Sequence, residues 1–168
     1  ALLPLRTARL SDEYYYSCLP LCVIDSVYSI GVRYNQVQAV VKRYCEHRCL
    51  HRFQTDRDQL PVPADQLSVS NFCDEFERQG PEAMTAIFAN RQRTSVRNGI
   101  LKAEAVYRFA SVLRGNGIET LQDMAGVPSA TGEVMEAQVR LIPGQKSGIS
   151  WQYFQMLAGS DHLIKPDR

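Results

Sequence analysis

Four stretches of this 168-residue chain carry residue types that could do chemistry. The first is Leu141-Ile-Pro-Gly-Gln-Lys-Ser-Gly148, a turn between two helix-like runs. Pro143 fixes its own φ, and Gly144 can take a positive φ and let another backbone come close. The first N–H groups of the next helix have no partner inside it and attract an anion. Such a turn, clasped between helices, can seat a nucleic-acid phosphate without reading its sequence. Pro143, Gly144, Gln145, Lys146, Ser147 and Gly148 are the residues that would do so. The second stretch ends in Asp167, behind Pro166 and twenty-three residues after Gly144. Asp161-His162 is a rival there, because an imidazole is a ready acid–base group. The third stretch runs from Arg91 to Lys102 and holds Arg91, Arg93, Arg97 and Lys102 with no acid among them. It is a modest positive patch that could touch phosphates.

A fourth cluster, Cys45, His47, Cys49 and His51, has the residue types of a zinc site. On one continuous helix the two cysteines would share a face and the two histidines would point nearly opposite. A single ion could gather all four only if the helix broke. Core thiols with exposed histidines are the simpler expectation, and no metal is expected.

These residues need elements to hold them. Ser11-Asp12-Glu13 reads as a helix start with acids in its first turn, followed by Tyr14, Tyr15 and Tyr16. Three consecutive tyrosines cannot share one helix face, so at least one should lie near the surface. Residues 21–44 form the most apolar long segment, with 3–4 spacing that predicts a central buried helix bent or broken at Gly31. Residues 52–67 read as a loop. Ser68 or Ser70 caps a short helix stopped at Gly80, and Pro81 opens another over Glu82 to Ala89. Asn90 to Gly99 is a polar loop, and Ile100 to Leu113 the clearest amphipathic helix, ended by Gly115. Short helices over Glu119–Ala125 and Glu133–Leu141 lead into the turn, and a helix from Ile149 carries Trp151, Tyr153, Phe154, Met156 and Leu157 before Gly159. No segment alternates like a strand, so the fold class is all-α, with a single domain over 1–168 and the hairpin within 133–159.

Composition agrees with a globular protein: 45% hydrophobic and 22% charged residues, with a net charge of +1. No apolar run has the length of a membrane span, and the opening Ala1-Leu-Leu-Pro-Leu-Arg6 is too short for a signal peptide. Five cysteines, an odd number, read as reduced thiols of a cytoplasmic protein.

The helix, Ile142-Pro143-Gly144, helix and Pro166-Asp167 arrangement resembles the helix-hairpin-helix DNA glycosylase superfamily, the endonuclease III-like proteins. Asn98-Gly-Ile-Leu-Lys-Ala-Glu-Ala105 resembles that family's helix opening on a Lys-Ala pair, and Leu21–Tyr44 its long N-terminal helix pair. The resemblance implies two helical lobes with a cleft between them. The partner is then double-stranded DNA carrying a damaged, mismatched or modified base, bound by a monomer, with room for a structural cation at the hairpin. A base inside a duplex is unreachable and must be flipped out. Asp167 would orient or deprotonate the attacking water and stabilise the oxocarbenium-like sugar as the base departs. Tyr28, Tyr34, Trp151 and Tyr153 are the aromatic candidates for stacking on the flipped base or filling its gap.

The departures also carry meaning. Lys146 replaces the family's second hairpin glycine, so the turn must be built differently or shifted toward Gly148. Gly148 stands where bifunctional members keep a lysine nucleophile, so hydrolysis without strand cleavage is expected. No cysteine follows Cys73, so no iron–sulfur centre and no other cofactor is expected. Two other classes fit the same residues: a DNA-binding hairpin module without chemistry, and an all-α interaction domain whose Pro-Gly turn is coincidental.

Overall fold

A computed structural model describes residues 15–56 and 58–159. Those residues form eight α-helices and one 3₁₀ turn, so the fold is all-α. The extended pairings among them are two isolated bridges, Tyr16 with Phe53 and Arg93 with Leu101.

The long apolar segment divides in two. Helix α1 runs Leu19–Tyr28 and α2 runs Tyr34–Arg48, with the break centred on Gly31. Pro20 sits in the first turn of α1, where its missing N–H costs nothing. All ten residues of α1 are buried, which only a helix surrounded by others can achieve. α1 packs against α2, α3 (Val69–Gln79), α5 (Lys102–Gly115) and α8 (Ile149–Leu157). α5 in turn meets α3, α4 (Pro81–Phe88) and α7 (Ser129–Arg140). These two helices are the axis of one shared hydrophobic core.

Local chemistry sets the ends. Of the two serines that could cap α3, Ser68 does so, its Oγ accepting from Asn71 N at 3.1 Å. Thr120 and Asp123 form a reciprocal capping box on α6 (Leu121–Ala125). The loop before α3 contains a 3₁₀ turn at Pro63–Asp65.

Several boundaries differ from the sequence expectation: residues 15–18, read as part of a helix opened at Ser11, are not helical, and Tyr16 instead bridges Phe53. α6 begins at Leu121 rather than Glu119 because Thr120 caps it. α2 continues past Tyr44 to Arg48 and ends at Cys49, in the left-handed region at φ 53°. α5 begins at Lys102 rather than Ile100, because Gln92, Thr94, Ile100 and Lys102 pair across the preceding loop. α7 begins at Ser129 rather than Glu133, because Pro128 presets the entry and Gly132 is carried inside the helix. Of the three tyrosines, Tyr16 is buried and Tyr15 half-buried, while Tyr14 lies outside the described residues. Among the described residues no helix is long and apolar enough to cross a membrane.

Candidate nucleic-acid interface

The turn between α7 and α8 is built from two successive tight turns. Gln145 N donates to Ile142 O at 2.9 Å, with Pro143 and Gly144 (φ +88°) at the central positions. Proline followed by a positive-φ glycine is the pattern of a type II turn. Gly148 N then donates to Gln145 O at 3.1 Å, and Gly148, at φ +77°, is the residue that caps α8. The second positive-φ glycine of the hairpin is therefore Gly148, and Lys146 sits exposed within the second turn. Arg140 Nε donates to Lys146 O at 3.0 Å and ties the hairpin to the end of α7. The exposed N–H groups of Gly144, Lys146 and Ser147 take no acceptor among the described residues. Gln145 is the exception in this group: its side chain is buried behind the turn, with Oε1 unpartnered among the described residues, and does not face outward.

Gly144 also fixes where the hairpin stands. A Cβ added there would lie 2.4 Å from Thr94 Cβ, so the turn is pressed directly onto the loop between α4 and α5. That loop is the basic one. It folds back on itself, with Thr94 N donating to Ile100 O at 2.9 Å and Lys102 N to Gln92 O at 2.8 Å. Arg93 braces it by donating to Gly99 O at 3.0 Å. At its tip Ser95, Val96, Arg97 and Asn98 are exposed, and Val96 is fully so. Arg97 and Lys146 form no ion pair with a described carboxylate, whereas Arg91 is 2.9 Å from Glu82 on the open surface. Such an exposed pair is worth little and exchanges readily for a phosphate. Hairpin and basic loop thus share one face.

Lys102 does not belong to that face. Its side chain is buried, and Nζ donates to Tyr28 O at 3.2 Å, Ile30 O at 2.8 Å and Gln92 Oε1 at 3.4 Å. It closes the C-terminus of α1, where a cation meets the negative end of the helix dipole. Burial lowers its pKa to about 8. As a phosphate contact it is corrected: it positions the loop and does not reach outward.

Of the four aromatic candidates, three are buried and one is half-exposed. Trp151 is buried, stacked on Phe109 at 5.9 Å and tilted against Phe154 at 5.5 Å. Tyr28 is buried edge-on to Phe88 at 5.7 Å. Both are core residues and cannot stack on a base. Tyr34 is half-exposed at the start of α2, whereas Tyr153, on α8, is buried in the core, and both oppose the ionisation of Tyr16. Tyr16 donates to the buried carboxylate Asp25 at 2.5 Å, and Ser29 Oγ donates to the other oxygen at 2.7 Å. Burial and then Asp25 hold the Tyr16 phenol well above the ordinary range. The sequence carried one signal for this polar cluster: Asp25 is the lone acid in an otherwise apolar helix.

The Cys45/His47/Cys49/His51 residues do not converge. Cys45 is buried, Cys49 is exposed, and His47 Nε2 lies 3.0 Å from Glu75, whose other oxygen accepts from Tyr44 at 2.7 Å. Among the described residues no group of three or more such side chains is arranged to hold a metal ion. Asp167, Asp161 and His162 lie outside the described residues.

No curated protein and no solved structure matches the chain. The chain belongs to the family described as Domain of unknown function (DUF8548), whose model matches residues 1–168.

Proposed function

We propose that the chain is a monofunctional DNA N-glycosylase that works in the cytoplasm or on the nucleoid. In this reading it hydrolyses the N-glycosidic bond of a flipped-out damaged, mismatched or modified base. The observation that carries the reading is the contact of Gly144 with Thr94, which sets the hairpin against the loop that carries Arg93 and Arg97. Outward N–H groups with neighbouring cations suit one DNA phosphate and its neighbours along the strand. Val96, fully exposed at the loop tip, has the form of an apolar wedge that could enter the base stack. Asp167 supplies the carboxylate for water and for the developing sugar cation. Tyr34 is the aromatic left to meet the base.

The burial of Tyr28, Trp151 and Tyr153 leaves fewer groups to grip a base and favours, as the second reading, a DNA-binding hairpin without chemistry. Base release from a panel of damaged and mismatched duplexes separates the two. The wild-type protein should release a base, and Asp167→Asn should abolish release while leaving duplex affinity nearly unchanged. DNA binding with no release from any duplex would replace the first reading with the second.

A further inference from the structure

The basic loop carries a reactive dipeptide. In an Asn-Gly pair the glycine amide nitrogen can attack the asparagine side-chain carbonyl, because the residue after asparagine offers no Cβ to block the approach. The chain has two such pairs, Asn98-Gly99 and Asn116-Gly117, and their surroundings are opposite. Asn116 is half-buried, and its Nδ2 donates to Val112 O at 2.8 Å and Gln138 Oε1 at 2.9 Å. The nucleophile of that pair is also occupied, since Gly117 N donates to Arg114 O at 3.0 Å. Asn98 is exposed at the loop tip, held at φ 55°, with no side-chain hydrogen bond to a described residue. Gly99 N likewise has no acceptor among the described residues.

We propose that Asn98 is a site of spontaneous deamidation that converts the basic loop to a less basic one, while Asn116 is protected. Gly99 N, giving its proton to solvent, forms a bond to Asn98 Cγ. The Cγ–Nδ2 bond breaks and ammonia leaves. Water then opens the cyclic imide at either carbonyl, giving aspartate or isoaspartate, so the net change is one water consumed and one ammonia released. The new carboxylate stands next to Arg97, on the face that presents Lys146 and the hairpin N–H groups. Its effect on DNA rests on the function proposed above. The rate difference between the two asparagines does not.

The test is incubation of the full chain at mildly alkaline pH, proteolysis, and mass-spectrometric quantification of the two peptides. Releasing Asn116 requires breaking two side-chain hydrogen bonds, so Asn98 should convert at least roughly tenfold faster in the folded protein. The difference should collapse in denaturant. Equal rates in the folded state, or a faster Asn116, would overturn the proposal. In a parallel binding assay Asn98→Asp should weaken duplex affinity about two- to fivefold and Asn98→Gln should not. If wild-type protein binds DNA and Asn98→Asp binds equally well, the loop-charge consequence is wrong. If wild-type protein binds no DNA, the functional reading fails, and the mass spectra still decide the deamidation.

Discussion

At the scale of single residues, burial governs reactivity. Cys18, Cys22, Cys45 and Cys73 are buried in the core, and burial pushes the Cys18 thiol to about 11 and the Cys45 thiol to about 12. Only thiolates react quickly, so a thiol reagent should modify Cys49 alone in the native protein and all five cysteines after unfolding. Two or more native labels would contradict this packing. Lys102 gives a pH signature. Its pKa in the fold is about 8, against an ordinary lysine value of about 10.4. Between those values the unfolded chain holds a proton that the folded chain has released. Stability contributed at this site therefore rises with pH across that window and is lower below it. Denaturant melts of wild type and Lys102→Met should show their stability difference moving in favour of wild type from about pH 8 to pH 10, by on the order of 2 kcal/mol. A pH-independent difference would contradict the buried amine.

At the scale of elements, the hairpin and the basic loop are one unit. Gly144→Ala would impose a left-handed backbone on a residue with a Cβ and drive that carbon into Thr94. We expect a loss of about 1–3 kcal/mol, read by thermal melting, together with weaker duplex binding. Melting and binding indistinguishable from wild type would mean that the turn and the loop are not in contact. Much of the hairpin was legible in the chain, because Pro143-Gly144 writes its own turn and Gly148 was the only other glycine near enough to complete it. Its placement was not legible. The contact with Thr94 joins residues fifty positions apart, and no local pattern announces it. The same applies to Lys102: a lysine in a basic run reads as a surface cation until the carbonyls of Tyr28 and Ile30 are seen around it. Helix types were read correctly where periodicity was strong. The starts of α5 and α7 were misplaced because loop pairing and Pro128, rather than apolar spacing, decide them.

At the scale of the whole molecule, α1 and α5 join the elements that carry the proposed interface. Phe109 on α5 meets both Trp151 and Phe154 of α8, so Phe109→Ala should cost about 3–5 kcal/mol and loosen the hairpin's second helix. Chemical denaturation reads the cost, and a loss under about 1 kcal/mol would place α8 outside the core. The aromatic composition of α8 made its burial legible; which phenol reaches Asp25 depends on how the segment before α1 packs, and only three-dimensional placement decides that it is Tyr16. The central claim is that the face made by the hairpin and the basic loop binds the DNA backbone. Its most direct test is duplex affinity by fluorescence anisotropy over a series of salt concentrations, for wild type and for an Arg97→Glu/Lys146→Glu double variant. Wild-type affinity should fall linearly with salt on logarithmic axes, and the variant should bind more weakly with a slope shallower by about two. Salt-independent or absent binding by wild type, or a variant with unchanged affinity and slope, would contradict the account.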